Sequence, residues 1–163
     1  MPTSNPSPVD GRTPEERLAA LGLVLPDAPR PVASYIPFRV SGNLLFVSGQ
    51  IPFRSGAMIA TGAVPDQVSV EVALDCSRQC ALNVLAQAKA ALGELSRVRQ
   101  VVRLGVFVCS QAGFWQQPKI GNAASDLMVQ VFGEAGQHAR AAVGSIALPL
   151  GAPVEIDAIF EVG

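Results

Sequence analysis

The chain has 163 residues, 49% hydrophobic and 15% charged, with 12 Lys and Arg against 13 Asp and Glu. That length suits one domain with a buried core, and the balance excludes both a disordered chain and a broadly cationic nucleic-acid coat. So little charge leaves apolar surface to hide, and a subunit interface is the simplest place for it.

No apolar run approaches the ~18–20 residues of a membrane span. The opening MPTSNPSPVDGRTPEER has no basic stretch followed by an apolar one, so no secretory leader is expected. Cys76, Cys80 and Cys109 are an odd, sparse set, which points to a reducing cytoplasm rather than a disulfide framework.

Residues 1–12 are rich in Pro, Ser, Asn and Gly and read as a loose tail. Thr13-Pro14-Glu15-Glu16 is a helix start: Thr13 caps, Pro14 suits the first position, and Glu16 completes a capping box. The helix should run from Pro14 to Leu21 and stop at Gly22, with Leu18 and Leu21 as its apolar edge. Pro26–Pro31 is a rigid linker. Val32–Val40 and Leu44–Ser48, around Ser41-Gly42-Asn43, predict a hairpin. Residues 53–67 are expected to be mostly loop.

Val70–Leu92 carries the strongest helical period, with apolar residues at 73, 74, 80, 81, 84, 85, 88 and 92 and a lapse at Ser77. Ser69 caps it and Gly93 ends it. Val98–Val108 is a strand expected to turn Val98, Val102, Leu104, Val106 and Val108 to one face and Arg99 and Arg103 to the other. A further helix starts within 116–122 and stops at Gly133. Ala141–Leu148 and Val154–Val162 flank Pro149–Pro153 and predict a terminal hairpin. In the last strand Val154, Ile156, Ala158 and Phe160 should face the helices, leaving Glu155, Asp157, Ile159 and Glu161 opposite. The order, a short helix then ββαβαββ, predicts an α+β sandwich with two main helices on one face of the sheet.

Familiar chemistry is scarce. One histidine, His138, cannot build a histidine metal cluster, and Cys76 and Cys80, four apart, lack further ligands. Cys80 continues the apolar stripe, so burial is its simpler role, and Cys109 ends a strand where a catalytic thiol is the lesser reading. No phosphate loop, dinucleotide fingerprint, GxSxG or HExxH motif is present. Three polar spots stand out. Arg140 opens an otherwise apolar strand and could hold a carboxylate through paired N–H bonds, or simply be a strand-end arginine. Glu155, on the sheet face away from the helices, could act as a base on water, or be a solvated strand residue. Ser48-Gly49 could offer a hydroxyl and a backbone N–H to a ligand, or merely end a strand.

Several of these stretches resemble one family. Phe46-Val47-Ser48-Gly49-Gln50-Ile51-Pro52 is similar to its SGQIP signature. Ala139-Arg140-Ala141-Ala142-Val143, Leu148-Pro149 and Val154-Glu155-Ile156-Asp157-Ala158 resemble its C-terminal signature. Ala33-Ser34-Tyr35 and Gly121-Asn122-Ala123 resemble two shorter segments. The family is RidA/YjgF, reactive enamine/imine deaminases also described as L-PSP endoribonucleases, and the resemblance spans about 32–162. It implies a chorismate-mutase-like sandwich with a mixed sheet over 32–163, preceded by a short extra helix and linker (13–31). It also implies a homotrimer with ligand clefts between neighbours, and hydrolysis of 2-imino and 2-enamino acids to 2-keto acids and ammonia, with no metal or cofactor. By the resemblance, Arg140 binds the substrate carboxylate and Glu155 positions the attacking water. Tyr35, Ser48, Gly49, Asn122 and the backbone of Ala142 complete the ligand contacts. Ala141 and Ala142 replace a small polar residue and a cysteine, Ala33-Ser34 replaces Gly-Pro, and the 53–67 loop is longer, marking a divergent subgroup.

The expected partner is therefore a small imino, enamino or keto acid, with no membrane. A non-catalytic keto-acid binding module would use the same Arg140 anchor. The net charge of −1 and the single histidine argue against a ribonuclease. If the last two strands form a hairpin about Leu150-Gly151, Arg140 stands opposite Glu161. Glu155 is then roughly 20 Å away at ~3.3 Å per residue, so two subunits are needed to bring the two groups to one ligand.

Overall fold

A computed structural model describes residues 11–29 and 34–163. The expected tail falls outside the described residues except for Gly11 and Arg12, as do the end of the Pro26–Pro31 linker and Val32-Ala33.

Helix α1, Pro14–Ala20, begins as the sequence predicts: the Glu16 N–H donates to Thr13 Oγ1 at 3.2 Å, and the Thr13 N–H to Glu16 Oε2 at 2.7 Å. Leu18 is buried while Leu21 is exposed, so the apolar edge is narrower than expected. The helix is held by its ends. Arg17 donates to the Val131 carbonyl, and Glu15 accepts the Leu95 N–H at 2.7 Å.

Strands β1 (Phe38–Ser41) and β2 (Leu44–Gln50) pair around Gly42-Asn43. β1 is shorter than expected, because Ser34–Pro37 bend away. The 53–67 segment holds a miniature hairpin, β3 (Phe53–Arg54) and β4 (Ala57–Met58), within a loop. Helix α2 spans Val70–Leu92, capped by Ser69 Oγ and stopped at Gly93, whose φ of 86° is cheap only for glycine. Strand β5 is Val98–Cys109, helix α3 Gln117–Phe132, strand β6 Ala139–Ser145 and strand β7 Val154–Val162.

The main sheet has the order β1-β2-β7-β5-β6. This corrects the terminal hairpin: β6 and β7 do not pair. The unit β5–α3–β6 is a crossover, which forces β6 to run parallel to β5, and β7 inserts antiparallel between β5 and β2. The mixed sheet follows from that one crossover.

Helices α2 and α3 pack on one face. The β7 alternation is as expected: Val154, Ile156, Ala158, Phe160 and Val162 are buried, and the residues between are half-exposed. On β5, Val101 rather than Val102 joins the core. Irregularities at Val98/Gln100 and Val101/Arg103 shift the pleat, as bulges do. Ser77, the lapse in the α2 stripe, is fully buried and its hydroxyl has no hydrogen-bond partner among the described residues. No helix among the described residues is long and apolar enough to cross a membrane.

Candidate functional site

Arg140 lies near the start of β6, the strand at the sheet's edge. Its register partner is Leu104, which pairs in turn with Ala158, so Arg140 shares their helix-covered face. There it reaches over α3. Nη1 donates to Asn122 Oδ1 at 3.0 Å and to Ser125 Oγ at 2.9 Å, and Nη2 to the Pro118 carbonyl at 3.3 Å. Asn122 and Ser125 are three apart, one helical turn, and so present their side chains together. Gly121 makes room: a Cβ there would stand 3.1 Å from Nη1. Ala142, two residues on, packs on the same side against the core.

All three acceptors are neutral, and no acidic side chain among the described residues pairs with Arg140. A guanidinium has five N–H donors. The bonds above use three, leaving Nε–H and one Nη2–H uncommitted. Two N–H groups match the two oxygens of a carboxylate.

Glu155 sits on the opposite, open face of the sheet. The β2–β7 register slips between Val47 and Gln50, so that Ser48 and Gly49 together oppose Asp157. Such bulges re-aim the chain locally. The bulge turns Gly49 against the Glu155 carboxylate so closely that no other residue fits without moving it. Burial first, and the neighbouring Asp157 second, raise the Glu155 carboxyl above its ordinary range. Asp157 itself is held by Arg103 at 3.2 Å and by the Gly105 N–H at 3.0 Å. No hydrogen bond from a described residue reaches the Glu155 carboxylate.

Ser48 donates to the carbonyls of Ile36 and Pro37, at 2.9 and 3.0 Å. With Gly49, Ile36, Arg39, Arg103 and Asp157 it lines an open-face cavity of about 270 Å³. Tyr35 is exposed and stands just before this wall.

The proposed site residues therefore fall into two groups. Arg140, Asn122 and Ala142 lie on the helix side of the edge strand. Glu155, Gly49 and Ser48, with Tyr35 just before their wall, belong to the open face. Arg140 is level with Ala158, not opposite Glu161, because β5 lies between β6 and β7. Glu155 is three residues from that level and two strands across, roughly 10 Å each way at ~3.3 Å per residue and ~4.8 Å per strand. One protomer does not bring the two together.

Sequence reasoning missed the supports. Gln79, Asn83 and Gln87, spaced by four along α2, are buried polar residues. Asn83 Nδ2 donates to the Ile51 and Phe53 carbonyls at 2.9 and 3.1 Å. Gln87 donates to Gln50, which donates to the Ser48 and Gly49 carbonyls. Outside them, Arg54 bridges Gln79 and Asp75. The ladder fixes the chain that carries Ser48 and Gly49, and its four-residue polar period was the available signal. The cysteines are buried. Burial, aided by Asp75, raises the Cys76 thiol to about 11, and burial raises Cys80 well above its ordinary value. Neither is poised as a nucleophile.

Residues 15–160 match the family model described as "YjgF/chorismate mutase-like, putative endoribonuclease". The chain belongs to the RidA/YjgF family. Protein TCP17 of Trypanosoma cruzi is 46% identical over 145 residues, 88% of this chain and 91% of that one. The RutC family protein y4sK of Sinorhizobium fredii is 34% identical over 135 residues, 83% of this chain and 92% of its own. The crystal structure of Atu1372 from Agrobacterium tumefaciens, a protein of unknown function, is 50% identical. It covers 92% of both chains with a TM-score of 0.87.

Proposed function

We propose that this protein hydrolyses reactive 2-imino and 2-enamino acids to 2-keto acids and ammonia, in clefts between the subunits of a homotrimer. The observation that carries the reading is Arg140. It is a cation held by three neutral acceptors, with two N–H groups left for a carboxylate. The division of the site supports a cleft between subunits. Arg140 on the edge strand of one copy would meet Glu155 on the open face of the next, and that face carries exposed Phe46 and Val143 in need of cover.

The chemistry asks little beyond placement and charge. Arg140 anchors the substrate carboxylate. Glu155 of the partner subunit takes a proton from water as the oxygen bonds to C2 of the iminium, whose C=N electron pair moves onto nitrogen. In the resulting carbinolamine the C–N bond breaks, the Glu155 proton goes to the departing amine, and the C2 hydroxyl proton is lost as the keto group forms. Enamino acids enter after tautomerising to the imine. A raised Glu155 carboxyl suits a group that must both take and return a proton.

The test is a coupled assay in which an amino-acid oxidase generates imino acids in situ and their loss is followed. The wild type should accelerate the loss. Arg140→Ala should raise KM by about 10- to 100-fold, as expected for losing a charge-assisted hydrogen-bond pair. Undiminished turnover by Arg140→Ala would sink the anchor. Binding of 2-keto acids without any acceleration would leave a binding module.

A further inference from the structure

His138 is the chain's only histidine, and the chemistry proposed above does not use it. Its Nδ1 lies 2.6 Å from the Gly136 carbonyl and its Nε2 lies 3.0 Å from Ser125 Oγ. Ser125 is also the residue that accepts Arg140 Nη1 at 2.9 Å. The polarity of this chain is forced. A carbonyl only accepts, so Nδ1 carries the proton and Nε2 of the neutral ring is an acceptor. The Ser125 hydroxyl must then give its hydrogen to Nε2, which leaves its lone pairs for Arg140.

We propose that His138, acting through Ser125, is a positioning residue for Arg140: the neutral ring fixes the direction of the serine hydroxyl, and the serine holds the guanidinium so that its free N–H pair stays available to a carboxylate. The inference rests on the reading of Arg140 as the carboxylate anchor. Charged residues on the packed elements are Lys119 and Asp126 on α3, Glu134 before the ring, and Arg99 and Arg103 on β5. Of these and Arg140, it is Arg140 whose charge acts on the imidazole. Burial, first, and Arg140 both disfavour the imidazolium, against the Gly136 bond. A protonated ring would aim a second N–H at Ser125 Oγ, and two cations would then meet at one hydroxyl.

As at many binding sites, a residue that never touches the ligand fixes the one that does. The sequence carried a faint trace of it: His138 and Arg140 are two apart in extended chain, and so share a side.

The test uses the full chain labelled with 15N-histidine, in which a single imidazole gives a single ring spectrum. Long-range 1H–15N correlation should show the Nδ1–H tautomer, and the ring pKa should rise in Arg140→Ala. In parallel, binding of 2-oxobutanoate is measured by calorimetry. His138→Ala should weaken it about tenfold, the scale of one hydrogen bond to a charged group, and should raise the KM for the imino acid with kcat retained. His138→Gln, whose Oε1 can accept from Ser125, should recover most of the loss. Ser125→Ala should match His138→Ala, and serves if the latter does not fold. An Nε2–H tautomer would overturn the proposal, as would a ring pKa indifferent to Arg140. So would a His138→Ala protein that binds 2-oxobutanoate like wild type while Arg140→Ala does not. Failure of the wild type to bind any 2-keto acid would overturn the anchor reading instead, and the tautomer and titration would still decide the hydrogen-bond chain.

Discussion

Gly49→Ala separates the placement of the Glu155 carboxylate from the integrity of the fold. Gly49 lies outside the left-handed region, so alanine is compatible with its backbone. A Cβ there would stand 2.8 Å from the Glu155 carboxyl carbon, 3.1 Å from its Cγ, and closer still to Oε1. An ordinary nonbonded contact is ~3.5–4 Å, so the carboxylate must retreat by about 1 Å. It sits at the end of a flexible side chain, and an off-rotamer shift costs about 1 kcal/mol. The lower chain entropy of unfolded alanine offsets part of that. Tm should therefore fall by no more than ~4 °C for a domain of this size. A misplacement of ~1 Å at a reacting group costs about 100-fold in rate. The expected outcome is a kcat near 1% of wild type in the coupled imine assay, with a melt close to wild type. Activity within threefold of wild type would refute the assignment of Glu155 as the water-positioning group. A Tm loss above ~10 °C would show that the backbone, not the carboxylate, had moved.

Other outcomes follow from the same geometry. Asn83→Leu strands the carbonyls of Ile51 and Phe53 and should cost about 2–6 kcal/mol in chemical denaturation, at ~1–3 kcal/mol per orphaned group. Glu155 must be ionised to take a proton, so activity should fall on the acid side at a pH above the ordinary glutamate value of 4.5. Asp157→Asn removes the neighbouring like charge and should move that limb to lower pH in kcat/KM profiles. The same proton links to stability. It binds more tightly in the folded state, so its contribution is full below pH 4.5 and is lost as pH rises through the folded value. Glu155→Gln should therefore stabilise the protein at neutral pH in denaturant titrations while abolishing turnover.

The elements with local punctuation were legible. Ser69, the 3.6-residue period and Gly93 define α2 to the residue, and Thr13 with Glu16 starts α1, because caps and periods are properties of short stretches. Strand pairing is not. Ala141–Leu148 and Val154–Val162 around a proline-glycine connection look like a hairpin, yet both pair with β5. The competing signal was the strand–helix–strand order of β5, α3 and β6, which calls for a parallel crossover. The near-continuous apolar run Leu104–Cys109 was a second hint, since a central strand has no solvent edge. The site shows the same split. Its members could be named from short motifs, but the face to which Arg140 points depends on its register with Leu104. The α2 amides and the His138–Ser125 pair escaped notice because each works through a residue distant in sequence.

Arg140 and Glu155 are unfinished in complementary ways. One is a cation among neutral acceptors, and the other a half-buried carboxylate that receives no hydrogen bond from the described residues of its protomer. Direct pairing across an interface would silence both, so on the proposed reading the cleft holds them about one small molecule apart. A 2-iminium acid carries a carboxylate at one end and a cation beside it, and it satisfies both charges at once. The keto acid product keeps the carboxylate and loses the cation. On the proposed reading it leaves Glu155 unpaired again, binds through Arg140 alone, and is the weaker ligand. Binding of 2-oxobutanoate should therefore be insensitive to Glu155→Gln, while turnover of the imine is not. That contrast distinguishes a hydrolase from a keto-acid receptor, because a receptor evolved for the product would have no use for a desolvated carboxylate facing it.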